Sequence, residues 1–338
     1  MSDPTPTLRL AVVVPVARAD GRTRRCLVAC QALAYVHRTI AVVTDEPMRL
    51  PDDEHFVNVV THAGRLTGPA EKRDLAASAL RDVDAYVYLD DDAYPPPGWL
   101  DRMAAALDAH PLAAGVGGPG LMPDDQNFWE RVSAAVMETR LGSGPLRFRF
   151  RREAPRYCDD FPAYDLAIRS AVLDAAGGWA TDWYGGEDTD LCGRLADHGG
   201  LIWYDPEAFV FHYRRVLVPK HFWQIQNVGR SRGCFIRAGY RRSRRWTFAG
   251  PPLVVAAAIA LAALPFLPGV DHLGALAAVA AVYLAVALFA HPGRIGLGVR
   301  LVLPFGIVAH HLAYSVGLVR GLVTGARRRS PPERPSTT

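Results

Sequence analysis

The sequence predicts an α/β domain with a mixed, mainly parallel sheet flanked by helices, followed by C-terminal transmembrane helices. Over the first 212 residues, short apolar runs alternate with segments of helical periodicity, which is typical of strand–helix–strand units. The charge changes sign along the chain, with 21 Lys+Arg against 32 Asp+Glu up to Glu207 and 17 against 2 from Ala208 onward. Long uncharged stretches begin at Ala249.

The first half of the predicted domain is a β-α-β-α-β series. A strand buried on both faces is a nearly continuous apolar run, and four such runs occur, at residues 8–16, 37–44, 56–61 and 85–89. Segments with helical spacing separate them, at residues 22–35 and 70–80. Alternation at this short spacing indicates a parallel sheet with helices on both faces.

The second half of the domain is less regular. The predicted helices are residues 99–110, 128–141, 170–176 and a helix from about 187 to 199. Strands that complete the sheet are predicted at residues 163–169, 201–204 and 208–212. The glycine-rich stretch 114–120 would let the backbone approach a ligand. The segment 146–157 carries five arginines, and the pattern fits either an edge strand or a mobile loop.

Three consecutive carboxylates, Asp90, Asp91 and Asp92, follow the apolar run 85–89. Their mutual repulsion predicts a cation, and Mg²⁺ or Mn²⁺ fits because these ions prefer carboxylate oxygens together with ligand phosphates. The C-terminal ends of strands in α/β sheets are also where nucleotides bind. The alternative is an acidic turn that caps the helix starting near Trp99.

Two other acidic positions are candidates for a site. Asp45 ends the second strand at the same sheet edge as Asp90, where it is either a contact to a base or ribose or a plain turn residue. Glu187, Asp188 and Asp190 lie in the first turn of a helix, where the helix dipole alone favours carboxylates. Asp190 has Arg194 four residues on, a structural pair. Glu187 and Asp188 lie beside two glycines and are candidates for a general base.

The chain after residue 215 changes character. Residues 216–248 form a basic, aromatic segment, which we interpret as a membrane interface rather than a surface for single-stranded nucleic acid. Residues 249–322 are the predicted transmembrane region, with helices at 249–270 and 273–290 and a third apolar segment at 301–320. The tail, 323–338, is predicted to be disordered.

The third apolar segment presents a conflict of topology. Arg241–Arg245 place the preceding domain in the cytoplasm, and Arg294 with Arg300 fit a cytoplasmic return loop. A third crossing would put Arg327–Arg329 on the outside, against the positive-inside rule. The segment, interrupted by Pro304, therefore either crosses against that rule, is re-entrant or lies in the interface.

The start of the chain and its cysteines fit the same compartment. The short, polar start is not expected to be a signal peptide. The five cysteines lack paired CxxC spacing and are expected to be reduced thiols.

The chain resembles the family-2 glycosyltransferases, which have a GT-A fold, a Rossmann-like mixed sheet flanked by helices. Five motifs carry the resemblance: VVVPV at 12–16, GPAEKRDLA at 68–76, YLDDDAYPPPGW at 88–99, GGEDTDLCGRL at 185–195 and HYRR at 212–215. The trailing helices are similar to those of membrane-anchored enzymes of bacterial exopolysaccharide synthesis of the succinoglycan type. The chain lacks the Gln-x-x-Arg-Trp signature of processive synthases, which implies addition of one sugar per encounter.

The resemblance implies a role for each matching residue. Asp90 and Asp92 form the DxD pair, Asp92 binds Mg²⁺ or Mn²⁺, and His212 is either a further metal ligand or a structural residue. Donor-binding residues are assigned as Asp45, Lys72, Asp90, Asp91, Arg230 and Arg232. Asp188 is the implied general base, with Glu187 orienting the acceptor, in a direct displacement that inverts the anomeric carbon.

The implied partners are a nucleotide-sugar donor and a polyprenyl-linked or other lipid-linked glycan acceptor, since a membrane-held substrate explains the helices. The implied location is the inner (plasma) membrane, multi-pass, with the catalytic domain in the cytoplasm. Two other classes stay open. A sugar nucleotidyltransferase would share the nucleotide-binding sheet, and a non-catalytic membrane scaffold would retain the fold.

Overall fold

The computed structural model describes residues 8–61, 67–179, 183 and 186–325, which divide into two compact units. The described residues of the first unit fall within 1–123, 151–182 and 187–213. Those of the second fall within 124–150, 183–186 and 214–338. Gly185 of the predicted glycine pair and most of the predicted disordered tail, 326–338, lie outside the described residues.

The first unit is built on an eight-stranded mixed sheet with the order β3-β2-β1-β4-β9-β6-β10-β8. Its strands are β1 Leu10–Pro15, β2 Arg38–Thr44, β3 Phe56–Val60, β4 Ala85–Leu89, β6 Gly115–Gly117, β8 Arg156–Cys158, β9 Asp165–Arg169 and β10 Ile202–Tyr204. The neighbours from β3 to β4 are parallel, as are β6 and β10. Strand β9 runs antiparallel to β4 and β6, and β8 runs antiparallel to β10. The predicted mixed, mainly parallel sheet is confirmed.

A second, three-stranded sheet has the order β5-β11-β7. Its strands are β5 Ala93–Tyr94, β7 Gly120–Leu121 and β11 Val210–His212. The prediction that residues 208–212 complete the main sheet was therefore wrong, because β11 pairs with β5 and β7 instead. Strand β5 was not predicted, since it is two residues long and precedes three prolines.

The glycine-rich stretch forms strand β6 and the start of strand β7. A Cβ on Gly115 would lie 2.0 Å from the carbonyl oxygen of Ala167, and one on Gly118 would lie 1.6 Å from that of Ala208. These glycines therefore permit close backbone packing inside the unit. The arginine-rich segment divides into a 3₁₀ turn at Gly144–Arg149 and the edge strand β8.

Five helices complete the first unit, and they match the predicted positions to within a few residues. They are α1 Gly21–Gln31, α2 Pro69–Ala79, α3 Trp99–Ala109, α6 Ser170–Ala175 and α7 Glu187–Asp197. Helix α1 begins at a capping box formed by Asp20 and Thr23 and ends before the predicted limit of residue 35. Strand β1 is completely buried at the centre of the sheet and forms the core with the inner faces of α1 and α3.

The second unit is helical. Its helices are α4 Phe128–Met137, α5 Arg140–Ser143, α8 Phe222–Arg237, α9 Gly250–Ala263, α10 His272–Phe289 and α11 Leu297–Thr324. Among the described residues, three helical segments are long and apolar enough to cross a membrane, namely Trp246–Phe266, His272–Phe289 and Leu297–Thr324. Helix α11 continues through Pro304.

Candidate active site and metal centre

The three aspartates lie where buried β4 ends, and the short strand β5 follows them directly. Antiparallel pairing of β5 with β11 places His212 opposite Ala93. As a result, Nε2 of His212 lies 3.1 Å from Oδ1 of Asp92. Asp90, Asp92 and His212 each offer one possible ligand atom, and these three atoms lie within 4.8 Å of one another. The two sheets thus bring His212 close to Asp92, which is 120 positions away in the chain, and to Asp90.

The chemistry of this donor set fits a divalent cation. Two carboxylates suit Mg²⁺ or Mn²⁺, and the imidazole nitrogen favours Mn²⁺ over Mg²⁺. Asp91 lies beside them, with Oδ2 accepting a hydrogen bond of 3.4 Å from the hydroxyl of Thr23. Burial, together with the charges of Asp92 and Asp90, raises the pKa of Asp91 to about 7. A bound cation would relieve this accumulation of negative charge.

Arg73 connects Asp90 of the candidate metal site to Asp188, the predicted base. Its Nη2 lies 3.0 Å from Oδ1 of Asp90, and its Nη1 lies 3.6 Å from Oδ1 of Asp188. The guanidinium stacks on the Trp179 ring at 4.6 Å, and only 5% of the Arg73 side chain is exposed. Sequence reasoning missed this residue, although it lies next to Lys72 in a motif already singled out.

Asp188 lies in the first turn of α7, as the sequence predicts, beside Glu187. Burial raises the pKa of Asp188 to about 6; the Arg73 charge acts in the opposite direction, and the charges of Glu187 and Asp90 add to the rise. About a third of the Asp188 side chain stays accessible to solvent, so it can reach a substrate. A carboxylate with these properties can accept a proton near neutral pH.

Asp190 has the structural role that its spacing predicts. Its Oδ2 lies 3.1 Å from Nε of Arg194, four residues on, and its side chain is buried. Arg194 also donates to the carbonyl of Gly178 at 2.8 Å, which ties α7 to the turn after α6. Asp190 therefore stabilises helix α7 through its ion pair with Arg194.

Lys72 and Asp45 form a buried ion pair at the C-terminal edge of the sheet. Nζ of Lys72 lies 2.8 Å from Oδ2 of Asp45 and donates to the carbonyl of Val16 at 2.6 Å. Burial by itself would raise the pKa of Asp45, but hydrogen bonds from Lys72 and Thr67 lower it to about 2. The Lys72 side chain is nearly inaccessible, at 2% exposure, so it positions Asp45.

The two arginines predicted to bind the donor belong to the second unit. Arg232 is buried in α8, where it donates to the hydroxyl of Ser243 at 3.0 Å and stacks on Phe248 at 4.0 Å. Arg230 is exposed on the same helix. Arg232 therefore has structural partners within its own unit, whereas the Arg230 side chain is accessible.

Comparison with known families shows to which family this chain belongs. The sequence model described as glycosyl transferase family group 2 matches residues 86–321, which is more than half of the chain. The chain belongs to glycosyl transferase family group 2. The matched range contains the aspartate triplet, Asp188 and His212.

Relatives of this family member occur among curated bacterial proteins. The pre-mycofactocin glycosyltransferases of two Mycobacterium tuberculosis strains, CDC 1551 / Oshkosh and ATCC 25618 / H37Rv, are each 26% identical to it over 216 residues. The aligned region covers 61% of this chain and 43% of each relative. This family member thus spans less than half the length of the curated relatives that it matches.

A solved structure confirms the GT-A fold. The mannosyltransferase PcManGT from Pyrobaculum calidifontis, in complex with GDP-Man and Mn²⁺, superposes with a TM-score of 0.63 at 18% identity. The match covers 94% of this chain and 89% of that one. The resemblance to exopolysaccharide enzymes in particular stays a prediction.

Proposed function

We propose that this family-2 member is an inverting, metal-dependent glycosyltransferase that moves one sugar from a nucleotide-sugar donor to a lipid-linked glycan acceptor. The observation that carries the proposal is the Arg73 bridge, which holds Asp90 and Asp188 on one guanidinium. The groups needed at the donor phosphates and at the acceptor hydroxyl are thereby adjacent. The mannosyltransferase solved with GDP-Man and Mn²⁺ supports the choice of a nucleotide-sugar donor and of the ion.

Asp90, Asp92 and His212 would hold Mg²⁺ or Mn²⁺. When bound, the ion supplies positive charge against the diphosphate that leaves. Asp91 and Asp45 are the proposed contacts to the ribose and base, with Lys72 holding Asp45 in place. Arg230 and Arg232 are the proposed contacts to the phosphates of the donor or of a lipid pyrophosphate.

Asp188 would take the proton from the acceptor hydroxyl as that oxygen attacks the anomeric carbon. A single displacement needs one base and inverts the configuration, in contrast to hydrolases with two flanking carboxylates. Because the pKa of Asp188 is raised to about 6, the carboxylate is ionised at neutral pH but still basic enough to accept a proton. Glu187 would orient the acceptor.

The lipid-linked acceptor accounts for the C-terminal helices. Residues 1–215 would be the catalytic domain in the cytoplasm, 216–248 an interface segment, and 249–322 the membrane anchor at the plasma membrane. The segments Trp246–Phe266 and His272–Phe289 are almost entirely exposed. In the most apolar 18-residue stretch of each, 0% and 11% of the residues are buried. Lipid is the solvent that suits such surfaces.

Two measurements on the full chain in detergent test the proposal. A panel of nucleotide sugars with Mn²⁺ should contain one donor that raises the melting temperature, and that donor should be hydrolysed or transferred only when the metal is present. Asp188→Asn should bind the same donor with similar affinity but fail to transfer the sugar. Turnover by the Asn variant at the wild-type rate would disprove the assignment of the base, and a panel without any stabilising donor would disprove the enzyme itself.

A further inference from the structure

Helices α8 and α11 pack so closely that their backbones are in contact. Each helix carries two glycines four residues apart, Gly229 and Gly233 in α8 and Gly317 and Gly321 in α11. A Cβ on Gly229 would lie 2.2 Å from the Tyr314 carbonyl oxygen, and one on Gly317 would lie 1.9 Å from that of Gln226. Larger residues are excluded at these positions, so the two helices have the close contact that small-xxx-small pairs allow.

The two helices run in the same direction and end together. At the start of α8, Nε2 of His221 lies 3.0 Å from Nδ1 of His310, which is in the middle of α11. Helix α8 therefore lies along the second half of α11. At their end, Nη1 of Arg237 donates to the carbonyl of Leu322 at 2.9 Å, where a cation offsets the negative end of the α11 dipole. A Cβ on Gly325 would lie 3.5 Å from Nε of the same arginine. The chain therefore leaves α11 beside the end of α8.

Helix α11 differs from the other two apolar segments in its burial. In its most apolar 18-residue stretch, 56% of the residues are buried, against 0% and 11% for the corresponding stretches of the other two segments. Buried residues in its first half pack on α4, and those in its second half pack on α8. Its large exposed apolar side chains form one stripe at helical spacing, namely Leu297, Leu301, Phe305, Leu312, Val319, Leu322 and Val323.

The partner helix cannot follow α11 across a bilayer. Helix α8 carries Arg230, Arg232 and Arg237, and Arg241–Arg245 follow it directly. Charged side chains in the hydrocarbon core are rare and costly. Because the glycine contacts hold α8 along α11, a crossing by α11 would draw these arginines into the bilayer.

We infer that α11 does not cross the membrane but lies in its surface, with the apolar stripe in the boundary between headgroups and acyl chains and α8 on the aqueous side. The inference rests on the proposed anchoring by α9 and α10. Two crossings return the chain to its starting side, and α11 then begins and ends there. Arg327–Arg329, which follow in the sequence, stay on the side of Arg241–Arg245, as the positive-inside rule requires.

Spin-label depth measurements on the full chain in lipid vesicles test this inference. Single cysteines would replace the exposed Leu301, Leu312 and Val323 of α11, with Leu273, Val282 and Phe289 of α10 as the matched set. Labelling of the parent chain, whose native cysteines are mostly buried, gives the background. Residues 301 and 323 are about 33 Å apart along the helix axis, which is about the thickness of the hydrocarbon core.

The inference predicts equal depth for the three α11 labels. For α10 it predicts a middle label, at residue 282, that is deeper than the labels at the two ends. A deeper middle label in both helices would overturn the inference while leaving the proposed anchoring and enzyme intact. Equal depth in α10 would overturn the anchoring, and the inference with it. A donor-hydrolysis assay on the same labelled samples reports separately on the proposed chemistry.

Discussion

The Nη1 atom of Arg73 lies 3.6 Å from Oδ1 of Asp188, although the two residues are far apart in the sequence. Helix α2 supplies the arginine and the first turn of α7 supplies the aspartate. Because the same guanidinium also contacts Asp90, a change of charge at the proposed metal site would alter the electrostatic potential at Asp188, the proposed base. Arg73 is therefore best described as a positioning residue.

Replacing Arg73 should affect the pH profile as well as the rate. Arg73→Gln removes a cation that lowers the pKa of Asp188, so the acid limb of kcat/KM should move up by about one pH unit. The kcat should fall by about 10- to 100-fold through misplacement of the base. Arg73→Lys keeps the positive charge, so it should restore the pH of the acid limb more fully than it restores kcat. Arg24→Gln, at an exposed arginine, is the control. An unshifted limb in a folded Gln variant would contradict the coupling.

The pH dependence of the wild-type enzyme follows from Asp188. Its pKa is raised to about 6, so kcat/KM should be constant near pH 7–8 and fall about tenfold per unit well below pH 6. A cation bound at Asp90 would move this limb to lower pH, because positive charge stabilises the carboxylate. Initial rates at saturating Mn²⁺ in a constant-ionic-strength buffer series measure it. A profile flat from pH 4.5 to 8 would contradict the assignment.

Metal binding should raise the free energy of unfolding. With Mn²⁺ at 100 times its Kd, the native state should gain about 2.7 kcal/mol, read as a rise in Tm. Asp92→Asn and His212→Gln should abolish most of this gain, whereas the exposed Asp108→Asn should keep it. Without metal, Asp92→Asn should melt at or above the wild-type temperature, since one of three adjacent carboxylates is removed. A full Mn²⁺ response in the Asp92 and His212 variants would refute the site.

The buried Lys72–Asp45 pair makes a separate prediction about acid stability. The folded pKa of Asp45 is about 2, below its ordinary value of 3.8, so the pair contributes about 2 kcal/mol above pH 4 that is lost as the pH falls through 2. Lys72→Met should lower the free energy of unfolding by about 3 kcal/mol at pH 7, and by less as the pH falls below 4. The exposed Lys220→Met is the matched control. Denaturant titrations at pH 7 and at the lowest pH where the fold persists would show the difference.

Replacing glycines with larger residues tests the close contact between α8 and α11. Gly317→Leu should destabilise the second unit by several kcal/mol, because its Cβ would lie 1.9 Å from the carbonyl oxygen of Gln226. Gly296→Ala, which has no atom within 4 Å of its Cβ, should be nearly neutral. Limited proteolysis in detergent, compared between the two variants, measures the effect. Equal resistance in both would show that the backbones are not in contact.

Local pattern was sufficient for most of the secondary structure. Strand β4 was predicted at its observed limits, because five buried apolar residues end abruptly at three charges. The failures came where neighbouring strands, rather than local preference, decide the structure. Strand β6 was not predicted, because sequence alone does not show the backbone carbonyls that the glycines at 115 and 118 contact. Strand β5 is two residues long and forms only because β11 pairs with it.

The sequence by itself determined the parts of this protein that depend on runs and periods. These are the strand–helix alternation, the acidic clusters at strand and helix ends and the apolar segments, because hydrophobic periodicity and charge are local properties. Only the tertiary structure decided that His212 lies 3.1 Å from Asp92, that Arg73 joins Asp90 to Asp188, and that α11 is held along α8. Such contacts join residues far apart in the chain, and strand pairing and helix packing determine which side chains meet.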